Sequence, residues 1–418
     1  MHTFGNDQQP PVTAKPVLAE KVAWLLFCAT SLQLAFLQPS VILLPGEPTN
    51  LFSGLLCALS LAATIWAAGK ARLFRNPRQL AICLVLAALL LLSGFLSALP
   101  GSNSWRGLVL LASGLGGFWG ARILVATPAR RRTFLRFCLL TLAGILLVIL
   151  IAALIKGKVY VIDKVKVYPV ALDSNMHPLT TKIILLWFAP LALLWGGMRQ
   201  KIWGAVLIGS SYLLFILMPM RAAVSLPLVM GALAVFWRAL RLRYLLLIFL
   251  ACAFLFVYFI RHMPMAKMGK ESEAAYYRVE NYSFYWHIAV QHPFLGIGLV
   301  TPRNEFLQDY EIKYPYVTRE HFAQSLRRII VADNMFLTFL AGAGFPFLLL
   351  YGFSLIMLLL KLVGSIGAGP PTPVIPPLAL LLPLVAGLLS FFVYDILLHP
   401  QICWFFHILL GLIPCNRE

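Results

Sequence analysis

The groups best able to do chemistry in this chain stand between residues 263 and 334. The stretch carries Lys267, Lys270, Arg278, Arg303, Lys313, Arg319, Arg327 and Arg328, set against Glu271, Glu273, Glu280, Glu305, Asp309, Glu311, Glu320 and Asp333. A guanidinium fork binds phosphate oxygens in pairs and stays charged at every relevant pH. Arginines in this number beside a membrane point to a site for an anionic group such as a phosphate. Arg221, in Met218-Pro219-Met220-Arg221-Ala222-Ala223, stands between two apolar runs with almost no loop. It is either an interface anchor that snorkels or a headgroup ligand. Asn175, His177 and Lys182 precede another apolar run and are expected at the outer surface. Asp333 and Asn334 open a later run, with oxygens at its first turn. Those oxygens suit an N-cap or a catalytic role.

These residues need a frame, and the composition says which. Of 418 residues, 61% are hydrophobic and only 12% charged, against about 25% charged in a soluble domain. Several runs exceed 18 apolar residues, and they are continuous rather than alternating. That defines an all-α polytopic membrane protein and excludes a barrel. Twelve spans are expected, at roughly 21–44, 51–69, 79–99, 107–127, 134–155, 181–198, 202–219, 223–240, 243–262, 335–362, 377–395 and 399–415. They divide the chain into a nine-helix region with a cytoplasmic tail (1–262), a large outer loop (263–334) and a three-helix region (335–418). The net charge of +19 lies mostly in short loops between runs, where orientation is encoded, so nucleic acid is not the partner. Arg72, Arg131, Arg199 and Arg241 mark alternate short gaps as cytoplasmic. Both termini are then inside, and the loops 156–181 and 263–334 outside.

The outer loops have internal patterns. Val159–Val167 alternates apolar and polar residues, as a short strand or interfacial segment does. Lys156, Lys158, Lys164 and Lys166 make it basic, which fits a solvated loop near headgroups or part of a groove for an acidic glycan. Residues 278–292 read as a helix, with Arg278, Tyr282, Tyr285 and His292 near one face. His292-Pro293-Phe294-Leu295-Gly296-Ile297-Gly298 then ends it. No strand precedes this Gly-x-Gly, so it is not read as a nucleotide site. Tyr310, Tyr314, Tyr316 and Phe322 suit either sugar stacking or interface anchoring. The cysteines have no Cys-x-x-Cys spacing and read as buried free thiols, so no metal site is expected.

Four segments resemble the O-antigen ligase family and the related oligosaccharide polymerases, in the family's order. They are Asn175-Met176-His177-Pro178, then Met220-Arg221-Ala222-Ala223. Next comes Arg278-x3-Tyr282-x9-His292-Pro293-x2-Gly296-x-Gly298, and last Asp333-Asn334-x2-Leu337-x6-Gly344. The family carries His where this chain has Asp333, and Ser and Gly beside its arginine where this chain has Met220 and Ala222.

The resemblance implies a GT-C-type, metal-independent glycosyltransferase of the bacterial inner membrane, without cofactor and acting as a monomer. Its donor is a glycan on undecaprenyl diphosphate. Its acceptor is lipid A-core in the ligases and another lipid-linked glycan in the polymerases. By motif position Arg221, Arg278 and Asn334 hold the diphosphate, and Asp333 accepts the acceptor's proton. Asn175, His177, Arg319 and His321 belong to the acceptor groove, and His321 is the substitute base should Asp333 not serve. The other reading is a transporter or flippase. It calls for midplane charges and a repeat between halves, whereas charges well inside the spans are few, Arg122 and Asp395 among them, and no clear repeat is seen.

Overall fold

The computed structural model describes residues 18–36, 49–73, 77–96, 104–157, 160–163, 166–169, 172, 176–217, 269–299, 304–314, 317–328, 334–366, 374–392 and 396–413. These form helices α1 (Leu18–Phe36), α2 (Thr49–Leu73), α3 (Pro77–Leu96), α4 (Ser104–Leu124) and α5 (Pro128–Lys156), then the strands β1 (Tyr160–Asp163) and β2 (Lys166–Pro169). Next come α6 (Met176–Leu186), α7 (Phe188–Leu193) and α8 (Met198–Leu217). After the expected spans 223–240 and 243–262, which lie outside the described residues, follow α9 (Gly269–Gln291), α10 (Asn304–Gln308) and α11 (Arg319–Arg328). The chain ends with α12 (Met335–Gly364), α13 (Pro377–Phe391), a 3-10 turn (Ile396–Leu398) and α14 (Pro400–Gly411).

The architecture is that of an all-α polytopic membrane protein. Among the described residues, six helical stretches are long and apolar enough to cross a membrane: Leu18–Phe36, Phe52–Gly69, Pro77–Leu96, Gly107–Leu124, Pro128–Lys156 and Met335–Gly364. Shorter apolar helices cover His177–Leu193, Pro377–Phe391 and Pro400–Gly411. The alternating segment after α5 is a true hairpin, antiparallel with Tyr160 opposite Pro169 and Asp163 opposite Lys166.

Inside the bundle, α4 runs parallel to α14 at close range. A Cβ at Gly117 would lie 2.5 Å from the Trp404 carbonyl oxygen, so the small residue is what lets these backbones meet. Trp404 is fully buried against Phe27, and its Nε1–H donates to Ser31 Oγ at 3.0 Å. Arg122, expected as a charge within a span, donates to the Ile413 carbonyl at 2.5 Å and so caps the end of α14. Lys182 is not at the surface as expected. It is 1% exposed, and its Nζ donates to the Ala35 carbonyl at 2.9 Å. The last turn of α1 leaves carbonyls without helical partners, and a buried ammonium satisfies one of them.

The loop 269–334 has its own core. Phe284, Tyr285, Ile288, Tyr310 and Phe322 pack together and against Leu340 and Ala341 of α12. Glu280 is fully buried at its centre. Its carboxylate accepts from the Tyr310 hydroxyl and from the backbone N–H groups of Lys313 and Tyr314 at 3.2 and 3.1 Å. Burial and this neighbouring carboxylate hold the Tyr310 phenol far above its ordinary pKa.

The loop is fastened to the membrane bundle at a break in α12. Gly344 adopts φ 81° and ψ 171°, and Pro346 follows. A helix through this point would need Phe345 N–H to bond Ala341 and residue 346 to bond Gly342, but proline has no N–H. The loop supplies the missing partners. Phe345 N–H donates to the Pro293 carbonyl at 2.8 Å, Ile297 N–H to Ala341 at 2.8 Å and Gly298 N–H to Gly342 at 2.9 Å. Ser93 of α3 donates a further bond to the Gly342 carbonyl at 2.6 Å. The Gly-x-Gly is thus a backbone clamp.

Candidate functional site

Three segments far apart in sequence meet on the loop side of the bundle. Arg278 is exposed on α9. His177 begins α6, ahead of the expected span 181–198, and is half-buried. His399 stands at the N-cap of α14. Burial holds the His177 imidazole down at a pKa of about 4, aided by the charges of Arg278 and His399. Arg278 and His399 act on the ring through space, which brings α9 and the α13–α14 connection into the neighbourhood of α6. His177 is therefore neutral at physiological pH, with a ring nitrogen able to accept a proton or a hydrogen bond.

Asn334 borders the same connection. Its Oδ1 accepts from the N–H groups of Phe336 and Leu337 at 3.0 and 3.1 Å, the geometry of an N-cap. Its Nδ2 donates to the Phe392 carbonyl at 3.2 Å, and the Phe336 and Phe392 rings pack 4.8 Å apart. The carboxamide therefore fixes the start of α12 against the end of α13. Its side chain holds three backbone partners here.

Arg319 is engaged elsewhere. Its Nη2 donates to the carbonyls of Leu307 and Gln308 at 2.5 and 3.0 Å, closing the end of α10. His321 follows it on α11. Asn175, Arg221 and Asp333 lie outside the described residues, though Asp333 directly precedes the cap residue.

His399 is the group that sequence reasoning missed. A signal was present, since His177-Pro178, His292-Pro293 and His399-Pro400 are three instances of one dipeptide. In α6 and α14 the proline falls in the first turn, where its missing N–H costs nothing, and the histidine is left at the helix mouth.

The fold and this site describe a polytopic membrane protein with a structured loop clamped to its bundle at α12, and with Arg278, His177 and His399 in one neighbourhood. Residues 184–352, from α6 into α12, match the family model described as O-antigen ligase. This match supports a membrane glycosyltransferase of the O-antigen ligase or polymerase type. A search of curated proteins gives no match.

Proposed function

We propose that the protein transfers a glycan from undecaprenyl diphosphate to lipid A-core at the outer face of the bacterial inner membrane. The observation that carries this reading is the meeting of Arg278 with His177 and His399 beside the start of α12. An oligosaccharide joined to a lipid diphosphate needs a cation for the leaving group and a polar group to orient the attacking hydroxyl, and Arg278 and His177 are groups of these two kinds.

In the proposed reaction an acceptor hydroxyl oxygen bonds the anomeric carbon while the bond from that carbon to the diphosphate oxygen breaks. The electron pair leaves with undecaprenyl diphosphate. Arg278 and Arg221 hold that diphosphate as its charge grows, with bidentate guanidinium contacts. The hydroxyl proton passes to Asp333, next to the α12 cap. His177 lines the acceptor side and stays neutral, so it orients the hydroxyl by accepting or donating a hydrogen bond. The substitution of Asp333 for the family's His favours a second reading, chain extension on another lipid-linked glycan.

The test is transfer in lipid nanodiscs containing chelator, with undecaprenyl-diphosphate glycan as donor, in the presence or absence of lipid A-core. Glycan on lipid A-core supports the ligase reading. Longer lipid-linked chains with lipid A-core untouched support the polymerase. Arg278→Ala is expected to lower the transfer rate by about 100-fold or more, the usual consequence of losing a group that stabilises developing charge. Expression should hold, since Arg278 is exposed. Undiminished transfer by this variant removes Arg278 from the site.

A further inference from the structure

A large apolar cavity lies apart from the site above, among α3, α4, α12 and α14, with a volume of about 760 Å³. Its walls include Leu86, Leu90, Leu115, Phe347 and Leu358. The polar groups along it divide by depth. Partway along, the Tyr351 hydroxyl donates to His407 Nε2 at 3.3 Å, while His407 Nδ1–H donates to the Cys403 carbonyl at 2.7 Å. That chain satisfies itself. At the end away from the loop, Arg78, Gln79 and Lys361 line the mouth. Gln79 Oε1 is buried with no hydrogen-bond partner among the described residues. Arg122 lies close enough for its charge to act on Lys361. Towards the loop the lining is Phe339 and Leu397, and among the described lining residues no charge stands there.

We propose that this cavity is a binding site for an anionic glycerophospholipid, with its headgroup at Arg78 and Lys361 and an acyl chain lying along α3 and α12. A phosphate fits between a guanidinium and an ammonium. A headgroup hydroxyl supplies the donor that Gln79 Oε1 lacks. From Arg78 to Leu90 the rise along α3 is about 18 Å, close to the roughly 15 Å depth of one leaflet's hydrocarbon. The charged mouth is at the opposite end of α12 from Asn334. A lipid whose phosphate sits there is not the glycan donor, whose diphosphate must reach Arg278.

The test uses the purified full chain in detergent, titrated with phosphatidylglycerol or phosphatidylcholine. Thermal midpoint and native mass spectrometry are the readouts. Phosphatidylglycerol is expected to remain bound and to raise the midpoint by several degrees, and phosphatidylcholine to do neither. R78Q/K361Q is expected to weaken phosphatidylglycerol binding about thirtyfold, as the loss of two cations at an anionic headgroup implies. R78K/K361R, which keeps both charges, and K201Q, which removes an exposed lysine at the start of α8, are expected to bind as the wild type does. Equal responses of the wild type to the two lipids overturn the proposal, whether or not the variants fold. Undiminished binding by R78Q/K361Q overturns it too. Displacement of phosphatidylglycerol by undecaprenyl phosphate also overturns it, by assigning the cavity to a polyprenyl chain.

Discussion

His177 illustrates how one residue reports on its neighbours. Its pKa lies near 4 in the fold and near 6.5 in an unfolded chain. Between those values the unfolded chain binds a proton that the native one does not, so stability rises with pH across this window and is lost as pH falls from 6.5 towards 4. Thermal midpoints measured from pH 7 to pH 4.5 should decline for the wild type and decline less for His177→Asn. An identical decline in both would remove His177 from this account. Arg278 and His177 were legible in the sequence because their motifs carry them. His399 was not, because nothing local says that the mouth of α14 lies beside the mouth of α6. Lys182 was misplaced because a lysine near a span end reads as a surface group, and only the packed structure reveals the carbonyl of Ala35 that holds it.

At the scale of elements, the clamp between the loop and α12 makes the sharpest demands. Gly296 and Gly344 both have positive φ, and a Cβ on either would collide with backbone across the joint. Gly344→Ala and Gly296→Ala are therefore expected to unseat the loop. Limited proteolysis of the folded protein should then cut within 269–334 where the wild type resists, and transfer should fall with it. Glu280 makes the corresponding demand within the loop core. Glu280→Ala leaves the Tyr310 hydroxyl and two backbone N–H groups without their acceptor, at a cost of about 1–3 kcal/mol for each buried group. Glu280→Gln, which keeps an acceptor oxygen, should cost less, as denaturant midpoints of the two variants would register. Among the described residues, six of the twelve spans expected from apolar run length are helices long enough to cross a membrane, and the alternation pointed to a strand where the hairpin lies. The loop helix was legible over 278–292 but begins earlier, at Gly269, because its first turns carry charge rather than an apolar stripe. The clamp was not legible, since the Gly-x-Gly and Gly344 are far apart in sequence and only the backbone accounting around Pro346 joins them.

For the whole molecule, class followed from composition, and the likeness to O-antigen ligases lies in residues 184–352. The acceptor does not follow from either, because it depends on a cavity shaped by many segments at once. The clamp has a further consequence for anyone recombining such enzymes. The outer part of α12, from Met335 to Ala343, packs with the loop core and shares its hydrogen bonds, so it belongs to the loop as a unit of exchange. A chimera cut at Asn334 would separate Phe345 from Pro293 and strand polar backbone in an apolar setting. The workable graft junction lies inside the span, beyond Pro346, and the recipient must offer a hydroxyl where Ser93 stands.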